Sequence, residues 1–154
     1  MKALVAYDSK FGNTKEVALA IGEALAAELA DTGGVVEVVH VSETDAAAMA
    51  ASDLLVFGTP VHGGRPSEGA AALLKTLRPK SLAGVRVIGF DTRTPHWIAR
   101  IFGYAAPRVT KTLQKAGGTQ VGSPGDFYVG GTEGPLLEGE LDRATAWAKG
   151  LVAG

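Results

Sequence analysis

The chain has 154 residues and no cysteine, and its 15 Lys and Arg stand against 16 Asp and Glu for a net charge of −1. The missing cysteines exclude disulfides, thiolate metal sites and a cysteine nucleophile, and the length suits a single domain over residues 1–154 that buries its core without crosslinks. Cations spread along the sequence give no nucleic-acid footprint, and Met1-Lys2 runs straight into a strand, so no leader or membrane insertion is expected and the expected location is the cytoplasm.

Short β-branched runs alternate with Ala- and Leu-rich helical periods, the pattern of βαβ units around a parallel sheet. The first strand, Lys2 to Tyr7, leads into the loop Ser9-Lys10-Phe11-Gly12-Asn13-Thr14 and then a helix. The first N–H groups of a helix lack internal partners and lie at the positive end of its dipole, so such a loop suits an anion. Ser9 and Thr14 add hydroxyl donors, and Lys10 and Phe11 contribute backbone N–H groups. Gly12 permits close backbone approach, while Asn13 is expected to cap the helix with Glu16 as a capping box. No Gly-x-Gly-x-x-Gly or Walker-type loop occurs here, which favours one phosphate over a pyrophosphate or a nucleoside triphosphate. The same residue types also build ordinary turns.

The first helix carries Val17, Ile21, Leu25 and Leu29 as one apolar stripe and should stop at Gly33-Gly34. A strand from Val35 to Val41 follows, with His40 inside it as a structural residue, then a short helix near Thr44 and a third strand, Asp53 to Gly58. After that strand comes Thr59-Pro60-Val61-His62-Gly63-Gly64-Arg65-Pro66, whose proline and glycine pair shape a loop able to lie flat against a ring system. A helix with Leu73, Leu74 and Leu77 leads to the fourth strand, Val85 to Phe90, and to a second polar loop, Asp91-Thr92-Arg93-Thr94-Pro95-His96-Trp97. A helix over Tyr104 to Ala116, a fifth strand that includes Asp126 to Val129, a loop at Gly130 to Pro135 and a last helix with Leu141, Ala144, Ala148 and Leu151 complete the chain. Trp147 reads as a packing residue on that helix. There is no zinc-protease motif, paired-carboxylate constellation or nucleophile elbow, and the third strand does not end in the Asp a receiver domain needs.

The segment Ser9-Lys10-Phe11-Gly12-Asn13-Thr14 resembles the phosphate loop of the flavodoxins, Thr/Ser-x-Thr-Gly-x-Thr, with Phe11 in place of the middle threonine. The resemblance runs through the entrance to the last helix, Gly139-Glu140-Leu141-Asp142-Arg143-Ala144. It implies a three-layer, doubly wound α/β fold with a five-stranded parallel sheet in the order 2-1-3-4-5, and FMN at the carboxyl ends of the strands. By the same resemblance Thr59, Pro60, Val61, His62, Gly63 and Gly64 on one side, and Asp91, Thr92, Arg93 and Trp97 on the other, would bracket the isoalloxazine. A carbonyl of His62 or Gly63 would accept from flavin N5–H, and Arg93 and His62 would set positive charge near the ring, although both residue types also occur as solvated loop positions. The implied function is electron transfer by a monomer serving a redox partner protein. The alternatives are an FMN-dependent reductase or oxidase, such as a quinone reductase or a protoporphyrinogen-oxidase-like enzyme, and a flavin-free signalling domain.

Overall fold

The computed structural model describes residues 1–95 and 103–153. Its strands are β1 (Lys2–Tyr7), β2 (Val35–His40), β3 (Leu54–Pro60), β4 (Arg86–Arg93), β5 (Thr119–Gln120) and β6 (Gly125–Tyr128). The helices are α1 (Asn13–Leu29), α2 (Ala46–Ala50), α3 (Glu68–Leu74), α4 (Ala105–Lys115) and α5 (Glu140–Val152). The pairings are all parallel, in the order β2-β1-β3-β4-β5, with β6 also on β4. This is the expected order.

Strands covered on both faces read as unbroken apolar runs whose side chains alternate between two cores. Val5, Val56, Ile88 and Phe90 point to the layer of α1 and α5, where Val17, Ile21, Leu25 and Leu29 form the anticipated stripe. Leu4, Leu55, Phe57 and Val87 point to the opposite layer, with Met49, Leu73, Leu74, Val109 and Leu113. Trp147 meets Phe90 and Phe127 edge-on at 6.1 and 5.8 Å and donates its indole N–H to the Ser123 carbonyl, a packing role as expected.

Three local expectations are corrected. The fifth strand comes in two pieces, because residues 121–124 stand opposite only residues 88–89 of β4, and this break contains Gly122 at φ 66° and Pro124, which has no N–H to donate. Asn13 does not cap α1: Gly12, at φ 92°, is the N-cap, and the Asn13 amide donates to the Glu133 carbonyl at 3.2 Å. Leu141 is 43% exposed rather than part of the last helix's buried stripe. Exposed cations occur on both helical layers, with Lys15 on α1 and Arg143 and Lys149 on α5. Between Glu68 and Asp126 the chain has one carboxylate, the buried Asp91, while Lys75, Arg78, Lys80, Lys111 and Lys115 are exposed in or beside α3 and α4. Glu16, Glu23, Glu28 and Asp142 are exposed on α1 and α5. Among the described residues no helix is long and apolar enough to cross a membrane.

Two glycines separate packing from propensity. A Cβ on Gly58 would fall 2.0 Å from the Phe90 ring, whereas one on Gly150, inside α5, would meet open space. Gly58→Ala should therefore destabilise the fold by about 1–3 kcal/mol. Gly150→Ala should stabilise it by roughly 0.5–1 kcal/mol. Urea unfolding midpoints check both.

Candidate functional site

A cleft of about 560 Å³ opens at the carboxyl ends of β1, β3, β4 and β6. Ser9, Lys10, Phe11, Asn13 and Thr14 line it from the first loop and the start of α1, Pro60 to Gly64 from the end of β3 and the second loop, and Thr92, Arg93 and Thr94 from the end of β4 and the third. Val129 and Thr132, after β6, close the remaining side.

In the first loop the left-handed turn at Gly12 starts α1 with its N–H groups facing outward; a Cβ there would meet no atom within 4 Å, so the requirement is one of conformation. The Ser9 hydroxyl accepts from the Gly12 N–H at 3.1 Å and the Lys15 N–H at 3.4 Å. The N–H groups of Lys10, Phe11, Asn13 and Thr14 have no acceptor among the described residues. Thr14 and Thr92 share a hydroxyl–hydroxyl hydrogen bond of 2.8 Å, which ties this loop to the end of β4. Clustered N–H donors, two hydroxyls, an adjacent lysine and an open glycine face form a donor set that fits one phosphate.

The second loop is a tight hairpin. His62 and Arg65 exchange backbone hydrogen bonds of 2.8 and 3.0 Å around Gly63 and Gly64, whose φ values of 58° and 77° are those of a type I′ turn. The His62 carbonyl is thereby occupied, and the Gly63 carbonyl is the one without a donor among the described residues. The His62 side chain is exposed at the cleft edge.

Thr59 and Asp91 do not line the cleft: both are fully buried and support it from behind. The Thr59 hydroxyl accepts the Ser67 N–H at 2.9 Å. Asp91 accepts the Ala106 N–H at 2.8 Å and two hydrogen bonds of 2.7 Å from Arg93. Arg93 also stacks 3.5 Å over the Tyr104 ring and lies 3.9 Å from Asp126. Its charge is thus neutralised within the protein instead of being offered to the cleft, which corrects the expectation of a free cation beside a ring. Trp97 lies outside the described residues. Thr94, Val129 and Thr132 were missed as site residues, although the glycines of Gly130 to Gly134 mark a loop at a strand end like the other three.

Burial pushes the Asp91 carboxyl above the usual carboxylate range, against the hydrogen bonds and charge of Arg93. Burial also works to discharge Arg93, but the hydrogen bonds and charge of Asp91 outweigh it and raise Arg93 above its ordinary value. These shifts favour opposite charge states of the pair; the twin 2.7 Å contacts are those of a charged pair, so the upward shift of Arg93 decides. Arg93→Met removes the opposing cation and should cost about 3–5 kcal/mol at neutral pH. A carboxyl whose folded pKa is raised contributes stability at low pH that is lost as pH rises through the folded value. The loss in Arg93→Met should therefore be smaller at acid pH, just above the ordinary carboxylate range, than at pH 7.5, as urea unfolding at the two pH values will measure.

Comparison with known proteins places this geometry. No curated protein matches the sequence. Among solved structures, the fold matches oxidised flavodoxin 2 from Bacillus cereus with a TM-score of 0.79 and 22% identity, over 98% of this chain and 97% of that one. A short-chain flavodoxin associated with a non-canonical PDU bacterial microcompartment matches with a TM-score of 0.74 and 22% identity, over 99% and 97%. The rubredoxin:oxygen oxidoreductase of Desulfovibrio gigas matches over 97% of this chain but 35% of that one, with a TM-score of 0.72 and 15% identity. The sequence profile named Flavodoxin matches residues 5–148, and the chain therefore belongs to the flavodoxin family, whose cofactor is FMN.

Proposed function

We infer that the loops at the carboxyl edge of the sheet hold one FMN and that the protein works as an electron carrier for a redox partner protein. The observation that carries the assignment is the set of N–H groups at Lys10, Phe11, Asn13 and Thr14 that have no acceptor among the described residues, gathered at the start of a helix. These groups, with the hydroxyls of Ser9 and Thr14, would hold the phosphate. Pro60 to Gly64 and Thr92 to Thr94 would flank the ring, and the Gly63 carbonyl, which has no donor among the described residues, would accept a flavin N5–H. Bound flavin supplies transfer of one or two electrons, while the protein orients it and tunes its potential. Asp91 and Arg93 would hold the third loop in shape without adding net charge beside the ring.

The reductase or oxidase reading draws on a single feature. The hairpin presents the exposed His62 side chain at the cleft edge, where a small substrate would approach a bound ring. Turnover of a quinone with a nicotinamide donor separates this reading from a carrier, which needs its partner present.

FMN should bind one-to-one and more tightly than FAD, as fluorescence quenching will report. Thr14→Val keeps the shape of the side chain and removes its hydroxyl. It should weaken FMN by about 1.5–3 kcal/mol and leave riboflavin, which lacks the phosphate, nearly unchanged. Equal losses for both flavins would place the phosphate elsewhere.

A further inference from the structure

A carboxylate beside an anion site calls for a reason, because its charge opposes the anion. Asp8 is such a group. It stands between β1 and Ser9, and its side chain is only 19% exposed. Its Oδ1 accepts the Ser9 N–H at 2.9 Å and lies 3.0 Å from His40 Nε2; its Oδ2 accepts the Ser67 hydroxyl at 2.5 Å. His40 Nδ1 accepts the Ser42 N–H at 3.1 Å, so the neutral ring carries its hydrogen on Nε2 and donates to Asp8. Ser67 caps α3 through the Ala70 N–H at 3.3 Å and gives its own N–H to Thr59 at 2.9 Å. Thr59 and Ser67 are the two ends of the segment that contains the His62–Arg65 hairpin. Helix α3 is pressed against the same carboxylate: a Cβ on Gly69 would lie 2.7 Å from Asp8 Oδ2.

We propose that Asp8 is a positioning residue that couples the phosphate loop to the hairpin flanking the ring. One of its oxygens fixes the first N–H of the phosphate loop, through Ser9, and the other fixes the base of the hairpin, through Ser67 and Thr59. A shift of either loop therefore costs hydrogen bonds that also hold the other. His40 braces the carboxylate from β2. This coupling rests on the flavin assignment above.

The sign of one substitution tests it. If Asp8 acted only through its charge, Asp8→Asn would strengthen binding of the anionic FMN relative to riboflavin. Acting through position, the same change should lower the preference for FMN over riboflavin about tenfold, read from the two dissociation constants of the full chain. A rise in that preference, or equal weakening of both flavins, overturns the proposal. Ser67→Ala cuts the same link from the hairpin side with the Asp8 charge in place, and should lower the preference several-fold. Ser67→Thr, which keeps the hydroxyl, should restore it. An unchanged preference in Ser67→Ala overturns the coupling even if Asp8→Asn fails to fold. A native chain with no preference for FMN over riboflavin overturns the flavin assignment instead, and the coupling with it.

Discussion

The N–H groups between Lys10 and Thr14 are the constraint on which the rest of the site depends. Backbone donors can be concentrated at one point only where a strand stops and a helix begins without capping them, and a folded chain seldom leaves such groups unpaired. The parallel sheet supplies that point. The strands all run parallel, so the loops after β1, β3, β4 and β6 all emerge at one edge. The left-handed turn at Gly12 then directs the helix start into the cleft, and the Asn13 amide, instead of capping the helix, secures the fourth loop at Glu133.

The loops are held from behind by carboxylates, Asp91 and Glu140 buried and Asp8 half-buried. Asp8 accepts the Ser9 N–H, Asp91 the Ala106 N–H, and Glu140 the Tyr128 N–H. Each of these carboxylates also takes a side-chain donor: His40 and Ser67 at Asp8, Arg93 at Asp91, Arg143 at Glu140. A buried charge satisfied this way is expensive to strip of a partner and fixes geometry in return. All three stand at strand ends or at the start of the last helix, where the loops need fixing most.

The sequence carries the layers and the first loop legibly because both follow from local rules. The spacing of Val17, Ile21, Leu25 and Leu29 sets the face of α1, and Gly33, at φ 73°, closes the 3₁₀ turn Ala30–Thr32 that follows it. Long-range pairing is less legible. Nothing in Thr59 or Asp91 alone distinguishes a group facing the cleft from one buried behind it; the difference lies in Ser67 and Ala106, which are distant in sequence. Arg93 read as a cation near a ring because its partner two residues earlier is an equally ordinary loop residue until β4 extends through both. Leu141 lies one residue round the helix from the buried face of α5, which runs through Glu140, Ala144, Ala148 and Leu151.

Phe11 connects these observations. In the family's pattern this position is a threonine, whereas here the ring is 43% exposed at the mouth of the cleft and has no hydroxyl to give. The lost donor shifts the task of holding an anion toward backbone N–H groups. A side-chain donor can adjust its rotamer to a ligand; a backbone donor points where the loop points. Such a loop must be built rigid. The Ser9 hydroxyl bound to the N–H groups of Gly12 and Lys15, the Ser9 N–H bound to Asp8, and Thr14 bound to Thr92 fix it from three directions. A half-buried acid next to an anion site is thus consistent with anion binding, because the charge that opposes the ligand also orients the donors that receive it.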